Sequence, residues 1–412
     1  MKQLLFFITL FFFQVQQCME VISATPQQKW RDAFKNLDTQ KYNHVVQYDL
    51  NLELWEDNRE KVIHQNVSLL AHGFGASPTT MSEYARLEGP YSVPGDKITF
   101  QFKDAFRGNL DFIRHSSFGQ HGDIKSLLVA LKAVCDCCWI QDKVGCNLFG
   151  QSRGAGAVAN MLAILNTKIH KWDADFSDIK EFLKDKDRVE MLLMIKKGVV
   201  VLDTPMVTTH VGVKSLTNLV LRGSCFEPPI VSLIHDYCLP ILTWGNYSPS
   251  GMQALTSVAD IPQDLKLLVS FQLDDEFVGN HLDKDFSEIL SRRLGPDNLW
   301  VVLGNDKGKQ FDDETWEILE KANQEEKLQK RWLIGGLPYR TMLAHGAGFI
   351  SLFQSGVLNA FFKKHNCSYY EGCIKLITGA KILEKAHRVK NFKQHFKNYD
   401  MNNDADRTSS SV

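Results

Sequence analysis

The sequence predicts an α/β protein built on a mostly parallel central sheet, flanked by helices and carrying an inserted cap. Two observations predict it. From Lys61 onwards, short β-branched or apolar runs alternate with longer amphipathic ones, as they do where crossover helices join parallel strands. At 412 residues, 44% hydrophobic and 23% charged, the chain can also bury a large core. No segment repeats at a fixed period, which argues against a solenoid or propeller.

Taken in order, residues 1–24 read as a secretory signal peptide. Lys2 precedes the apolar run LLFFITLFFF, polar residues follow, and Ala24 offers a small residue for cleavage. The run is shorter than the ~20 apolar residues that cross a bilayer, so no integral membrane segment is expected after cleavage, and the mature protein is expected outside the cytoplasm. The α/β domain is expected over 25–395. KVIHQNVSLLAHG reads as a strand, TTMSEYARL as a helix and DKITFQF as a strand. DIKSLLVALKAVC is an amphipathic helix with Ile124, Leu127, Leu128 and Leu131 on one face. Strand KVGCNLFG, helix GAVANMLAILNTK, a charged helical stretch from Asp175 to Lys197 and strand GVVVLDTP come next. Strand LKLLVSFQL, helix DFSEILSRRLG, strand NLWVVLG and a last helix around GFISLFQSGVLNAFFKK complete the pattern. Two stretches interrupt it. Residues 206–262 are apolar and too long for a crossover loop, which makes them a cap candidate; 311–339 is a charged helical insertion placed after the last expected strand. Residues 396–412 are polar and read as a tail.

The net charge of −1 gives no basic surface for nucleic acid or anionic lipid. Once Cys18 leaves with the signal peptide, eight cysteines remain. In an exported chain an even set points to disulfides or buried thiols, and Cys367 with Cys373 could close a small loop. The spacing of Cys135, Cys137, Cys138 and Cys146 matches no zinc pattern, so no metal is expected. N-x-S sequons begin at Asn66, Asn246 and Asn366.

The chemistry rests on CNLFGQSRGAGAVANMLAIL. A strand runs into Gly150-Gln151-Ser152-Arg153-Gly154, and a small-residue helix leaves it. Glycines are required where strand and helix pass too closely for side chains, and the tight turn projects the Ser152 hydroxyl at a helix N-terminus. Upstream, His72-Gly73-Phe74-Gly75 follows a strand and can aim backbone N–H groups at an oxyanion. The expected donors are the N–H groups of Phe74 and Arg153. His72 reads as a structural hydrogen bonder, and the Arg153 side chain as the partner of a nearby carboxylate. His345, among small residues in TMLAHGAGFISLF, is the expected base; His281, His365, His387 and His395 read as surface residues. The acid is expected at Asp275, whose Asp-x-x-Val spacing follows a strand, with Asp274 and Asp203 as alternatives.

With these motifs in this order, the chain resembles the α/β-hydrolase superfamily over about residues 60–395. The resemblance implies a secreted serine hydrolase of lipase or esterase type that cleaves small-molecule or lipid esters through an acyl-enzyme, with no cofactor. A peptidase or amidase of the same fold, or a non-catalytic binding protein on that scaffold, are the alternative readings.

Overall fold

The computed structural model describes residues 26–57, 62–63, 66–73, 93, 95–103, 116–138, 144–214, 227–272, 275, 278, 284–295, 297–304, 331–334, 357–367, 369–370 and 381–383. The expected signal peptide and tail, and the expected helix TTMSEYARL, lie outside them.

Helices α1 (Pro26–Lys35) and α2 (Gln40–Val46) lead into β1 (Leu52–Trp55), β2 (Val62–Ile63), β3 (Asn66–Ala71) and β4 (Lys97–Phe100). Then come α3 (His121–Cys138), β5 (Gly145–Gln151), α4 (Arg153–Asn166), α5 (Ser177–Phe182), α6 (Asp185–Lys197) and β6 (Val200–Asp203). In 206–262 the chain forms α7 (Glu227–Leu233), a π-helical turn (Ile234–Cys238), α8 (Leu239–Leu242) and α9 (Ala254–Ser257). Strand β7 (Leu267–Gln272), α10 (Lys284–Leu294), β8 (Leu299–Gly304), β9 (Arg331–Ile334), α11 (Val357–Lys364), β10 (Tyr369–Tyr370) and β11 (Lys381–Leu383) follow.

Nine strands form one sheet in the order β1-β4-β3-β5-β6-β7-β8-β9-β11. The strands from β4 to β9 run parallel, and β1 and β11 pair antiparallel at the two edges. The expected fold class is therefore the observed one. Every residue of β3, β4, β5 and β6 is buried, the polar Ser68, Lys97, Thr99 and Asn147 among them, as expected of central parallel strands covered on both faces. Helix α3 packs on α4 and α6, and α4 and α6 pack on β5. From β3 the chain steps to β4 on one side and then returns to β5 on the other. Such a reversal opens a crevice beyond the carboxyl ends of β3 and β5, where open α/β sheets bind ligands.

Four expectations are corrected. The run KVIHQNVSLLAHG is two strands, since Val62–Ile63 pairs with Tyr369–Tyr370 in a separate ribbon while Asn66–Ala71 enters the main sheet. The stretch 311–339 is not helical throughout: Arg331–Ile334 is a strand parallel to β8, so NLWVVLG is not the last strand. Its four residues follow a long charged run whose pattern hides them. Cys135, Cys137, Cys138, Cys146, Cys238 and Cys367 are free thiols, so none of the expected disulfides forms between described residues; Cys225 and Cys373 lie outside them. All but Cys238 are buried and pack as small apolar side chains, and burial raises Cys135 to about 12 and Cys137 and Cys367 to about 11. Finally, His365 is half-buried rather than a surface residue. It packs edge-on against Phe361, its Nε2 buried with no partner among the described residues, and burial lowers its pKa to about 4.

Helices α1 and α2 precede the alternating pattern, yet they belong to the fold. The Arg31 guanidinium donates to both Asp96 oxygens at 2.9 and 2.6 Å, and Trp30 Nε1 donates to the same carboxylate at 3.1 Å. The Asp57 N–H adds a fourth bond at 2.7 Å, so one buried carboxylate just before β4 fastens α1 and the end of β1. The first sequon is similarly absorbed, because Asn66 is buried with its amide bonded to Gly145 and Asn147. No helix among the described residues is long and apolar enough to cross a membrane.

Candidate active site

Ser152 links the last residue of β5 to the first residue of α4. Its backbone sits at φ 51° and ψ −113°, a left-handed conformation that costs a non-glycine residue about 1–3 kcal/mol and survives only where the surroundings impose it. Here they do. The Ser152 N–H donates to the Asp203 carbonyl at 2.8 Å, and its carbonyl accepts from the Gly156 and Met206 N–H groups at 3.0 and 3.1 Å.

The flanking glycines have steric causes. A Cβ on Gly150 would lie 2.6 Å from the Ala155 Cα, and one on Gly154 would lie 2.4 Å from the Ala71 carbonyl oxygen. Only glycine lets α4 fold back so tightly on β5 and pass beside the end of β3. Gly73 also closes on the turn, since a Cβ there would stand 3.3 Å from the Ser152 Cβ. The segment after β3 and the turn after β5 thus meet at the switch point of the sheet. Of the expected oxyanion donors, Arg153 opens α4, so its N–H has no acceptor within the helix; Phe74 lies outside the described residues.

The Arg153 side chain is committed elsewhere, as expected. Its Nε and Nη2 donate to the two Asp123 oxygens at 2.6 and 2.5 Å, with side chains only 2% and 4% exposed. Asp123 also accepts from the Gly119 N–H at 2.6 Å, and the Phe102 ring lies 5.0 Å from the guanidinium carbon. His72 is structural as well. The Phe102 N–H must donate to its Nε2, at 3.3 Å, which leaves the proton on Nδ1 to be donated to the Gly73 carbonyl at 2.9 Å.

Of the candidate acids, Asp203 ends β6 directly beside Gln151 in the ladder, fully buried, with its carboxylate accepting from the Ser270 hydroxyl. Asp275 follows β7, is buried, and accepts the Val278 N–H at 2.8 Å, so the Asp-x-x-Val spacing corresponds to a real turn bond. Asp274 and His345 lie outside the described residues. One residue escaped sequence reasoning. Thr204, next to Asp203, has φ 42°, is 1% exposed, and its hydroxyl has no hydrogen-bond partner among the described residues.

No protein-family model and no curated protein matches the sequence. Solved structures similar to the chain include an esterase from Pyrococcus furiosus, at 12% identity and TM-score 0.34 over 63% of this chain and 85% of that one. A lipase-esterase related protein from Clostridium acetobutylicum aligns at 12% identity and TM-score 0.34, over 62% and 89%. The acylaminoacyl peptidase of Pyrococcus horikoshii aligns at 9% identity and TM-score 0.41; it covers 79% of this chain and 40% of that longer one. Within the chain itself, strand order and the Ser152 turn locate the crevice.

Proposed function

We propose that the protein is a secreted serine hydrolase of α/β-hydrolase type that cleaves carboxylic esters, with Ser152 as nucleophile, His345 as base and Asp275 as acid. The observation that carries this reading is the strained, hydrogen-bonded position of Ser152 between β5 and α4, at the mouth of the crevice. A serine merely forming a turn would relax into an ordinary conformation; the imposed strain at this one supports its reading as a nucleophile.

In the mechanism, His345 accepts the Ser152 proton as Oγ attacks the ester carbonyl, and the tetrahedral oxyanion rests on the N–H groups of Arg153 and Phe74. Collapse expels the alcohol, protonated by His345, and leaves an acyl group on Ser152. Water, activated by the same imidazole, then releases the acid and restores the hydroxyl. The carboxylate of Asp275, already oriented by the Val278 N–H, holds the imidazole tautomer. The positive end of α4 favours the developing negative charge. Secretion is part of the reading and rests on the apolar N-terminal run, with cleavage near Ala24.

A fluorophosphonate probe tests the reading. Labelling is expected at Ser152 and lost in Ser152→Ala, with kcat falling ~10⁴–10⁶-fold; labelling that persists in the variant, or never occurs in the parent, overturns it. Comparing Asp203→Asn, Asp274→Asn and Asp275→Asn assigns the acid, and inactivation confined to either of the first two removes Asp275 from the role.

A further inference from the structure

We infer that Thr204 is a substrate-binding residue of the Ser152 site, and that its hydroxyl selects acyl groups carrying a hydrogen-bond acceptor close to the scissile carbonyl. This rests on the reading of Ser152 as nucleophile.

The register places the two residues side by side. Gln151 is paired with Asp203 in the parallel ladder between β5 and β6, so Ser152 and Thr204 occupy the next step on adjacent strands, and such strands lie ~4.8 Å apart. Two bonds bracket Thr204 against Ser152: Asp203 accepts the Ser152 N–H, and Met206 donates to the Ser152 carbonyl. Thr204 is itself anchored from the other side, its N–H bonded to the Ser270 carbonyl at 2.9 Å. Both residues therefore stand at the carboxyl ends of neighbouring central strands, Thr204 one strand along from the switch point.

Thr204 is an odd residue for this position on two independent counts. Among described non-glycine residues with positive φ it is the one with a β-branched side chain, the class least suited to that conformation, and Pro205 restricts it further. Its Oγ1 is also buried without a hydrogen-bond partner among the described residues, although a buried hydroxyl ordinarily finds one. A glycine would relieve the strain, and a valine would remove the stranded hydroxyl. The chain keeps a side chain that does neither. A bound acyl group bearing an ether, hydroxyl or carbonyl oxygen near its reacting carbon would supply the missing acceptor. A hydrocarbon acyl group would leave the hydroxyl stranded, and sites built to bond a polar group discriminate against analogues that lack it.

The test uses p-nitrophenyl methoxyacetate and p-nitrophenyl butyrate, whose acyl groups match in length but differ by one ether oxygen. Their ratio of kcat/KM, divided by the ratio of their hydroxide rates, removes intrinsic reactivity. This normalised ratio is expected to exceed one in the wild-type protein, to fall about tenfold in Thr204→Val, the scale of one hydrogen bond, and to be largely retained in Thr204→Ser. Fluorophosphonate labelling of Ser152 in each variant reports an intact nucleophile. Labelling with an unchanged ratio in Thr204→Val overturns the role of Thr204. Should that variant fail to fold, a wild-type normalised ratio of one overturns it as well. Absence of labelling and of hydrolysis in the wild type overturns the nucleophile reading on which the inference rests.

Discussion

Consider the loss of either member of the buried Asp123–Arg153 pair. Arg153 occupies the first position of α4, where the helix dipole is positive and disfavours a cation. It is tolerated there because both Asp123 oxygens lie within 2.6 Å of its nitrogens and almost no water reaches the pair. Removing one partner of such a pair strands a charge and costs about 3–5 kcal/mol. The environment makes the two losses unequal. In Arg153→Met the stranded Asp123 keeps the Gly119 N–H and the positive end of α4, so the lower end of that range is expected. In Asp123→Leu the stranded guanidinium faces that same positive end, beside the Phe102 ring, so the upper end is expected. The double variant strands no charge, only the Gly119 N–H, and should be more stable than Asp123→Leu alone, giving a coupling energy of about 2–3 kcal/mol. Urea unfolding followed by tryptophan fluorescence measures all four proteins; at a slope of ~3 kcal/mol/M, Asp123→Leu should shift the midpoint by more than ~1 M. Additive losses, or an Arg153→Met protein less stable than Asp123→Leu, would refute the reasoning.

Three further outcomes are expected. Gly154→Ala should destabilise the fold by more than ~3 kcal/mol, because its Cβ would meet the Ala71 carbonyl at 2.4 Å and backbone must move; thermal unfolding checks it, and a parental melting temperature would count against the packing described. The lowered pKa of His365, about 4, means the unfolded chain takes up its proton first as pH falls, so stability should decline between about pH 6.5 and 4. His365→Phe should flatten that decline in melting temperatures measured across the window, and an unaltered slope would assign the loss to other groups. Maleimide applied to the native protein should spare the peptides holding Cys135, Cys137, Cys138, Cys146 and Cys367 and modify them after unfolding, as mass spectrometry would show; rapid native labelling of the Cys135–Cys138 peptide would contradict its burial.

The parts legible in the sequence share a local cause. Strands β3 to β7 are covered on both faces, so they stand out as short, mostly apolar or β-branched runs between helices, and the turn at Ser152 announces itself because Gly150 and Gly154 meet backbone where any side chain would collide. What stayed hidden depends on distant partners. Helix α1 is too short and polar to signal itself, and the Asp96 that fixes it lies 65 residues beyond Arg31. Asp123 is 30 residues from Arg153, so a carboxylate partner could be expected for the arginine but not identified. Cysteine number suggested cross-links, whereas the packing of α3 and β5 uses those side chains as filler. The odd backbone of Thr204 has no sequence signature, since nothing in Asp-Thr-Pro-Met distinguishes a strained threonine from a relaxed one.

The Asp96 knot has a practical corollary for anyone shortening the polypeptide. A version started at Lys61, where the regular alternation begins, would strip all four hydrogen bonds that hold that carboxylate, those of Trp30, Arg31 and the Asp57 amide, and leave a buried anion just before β4. Trimming or tagging should stop short of Pro26, since the helix that begins there is a foundation of the domain rather than its leader.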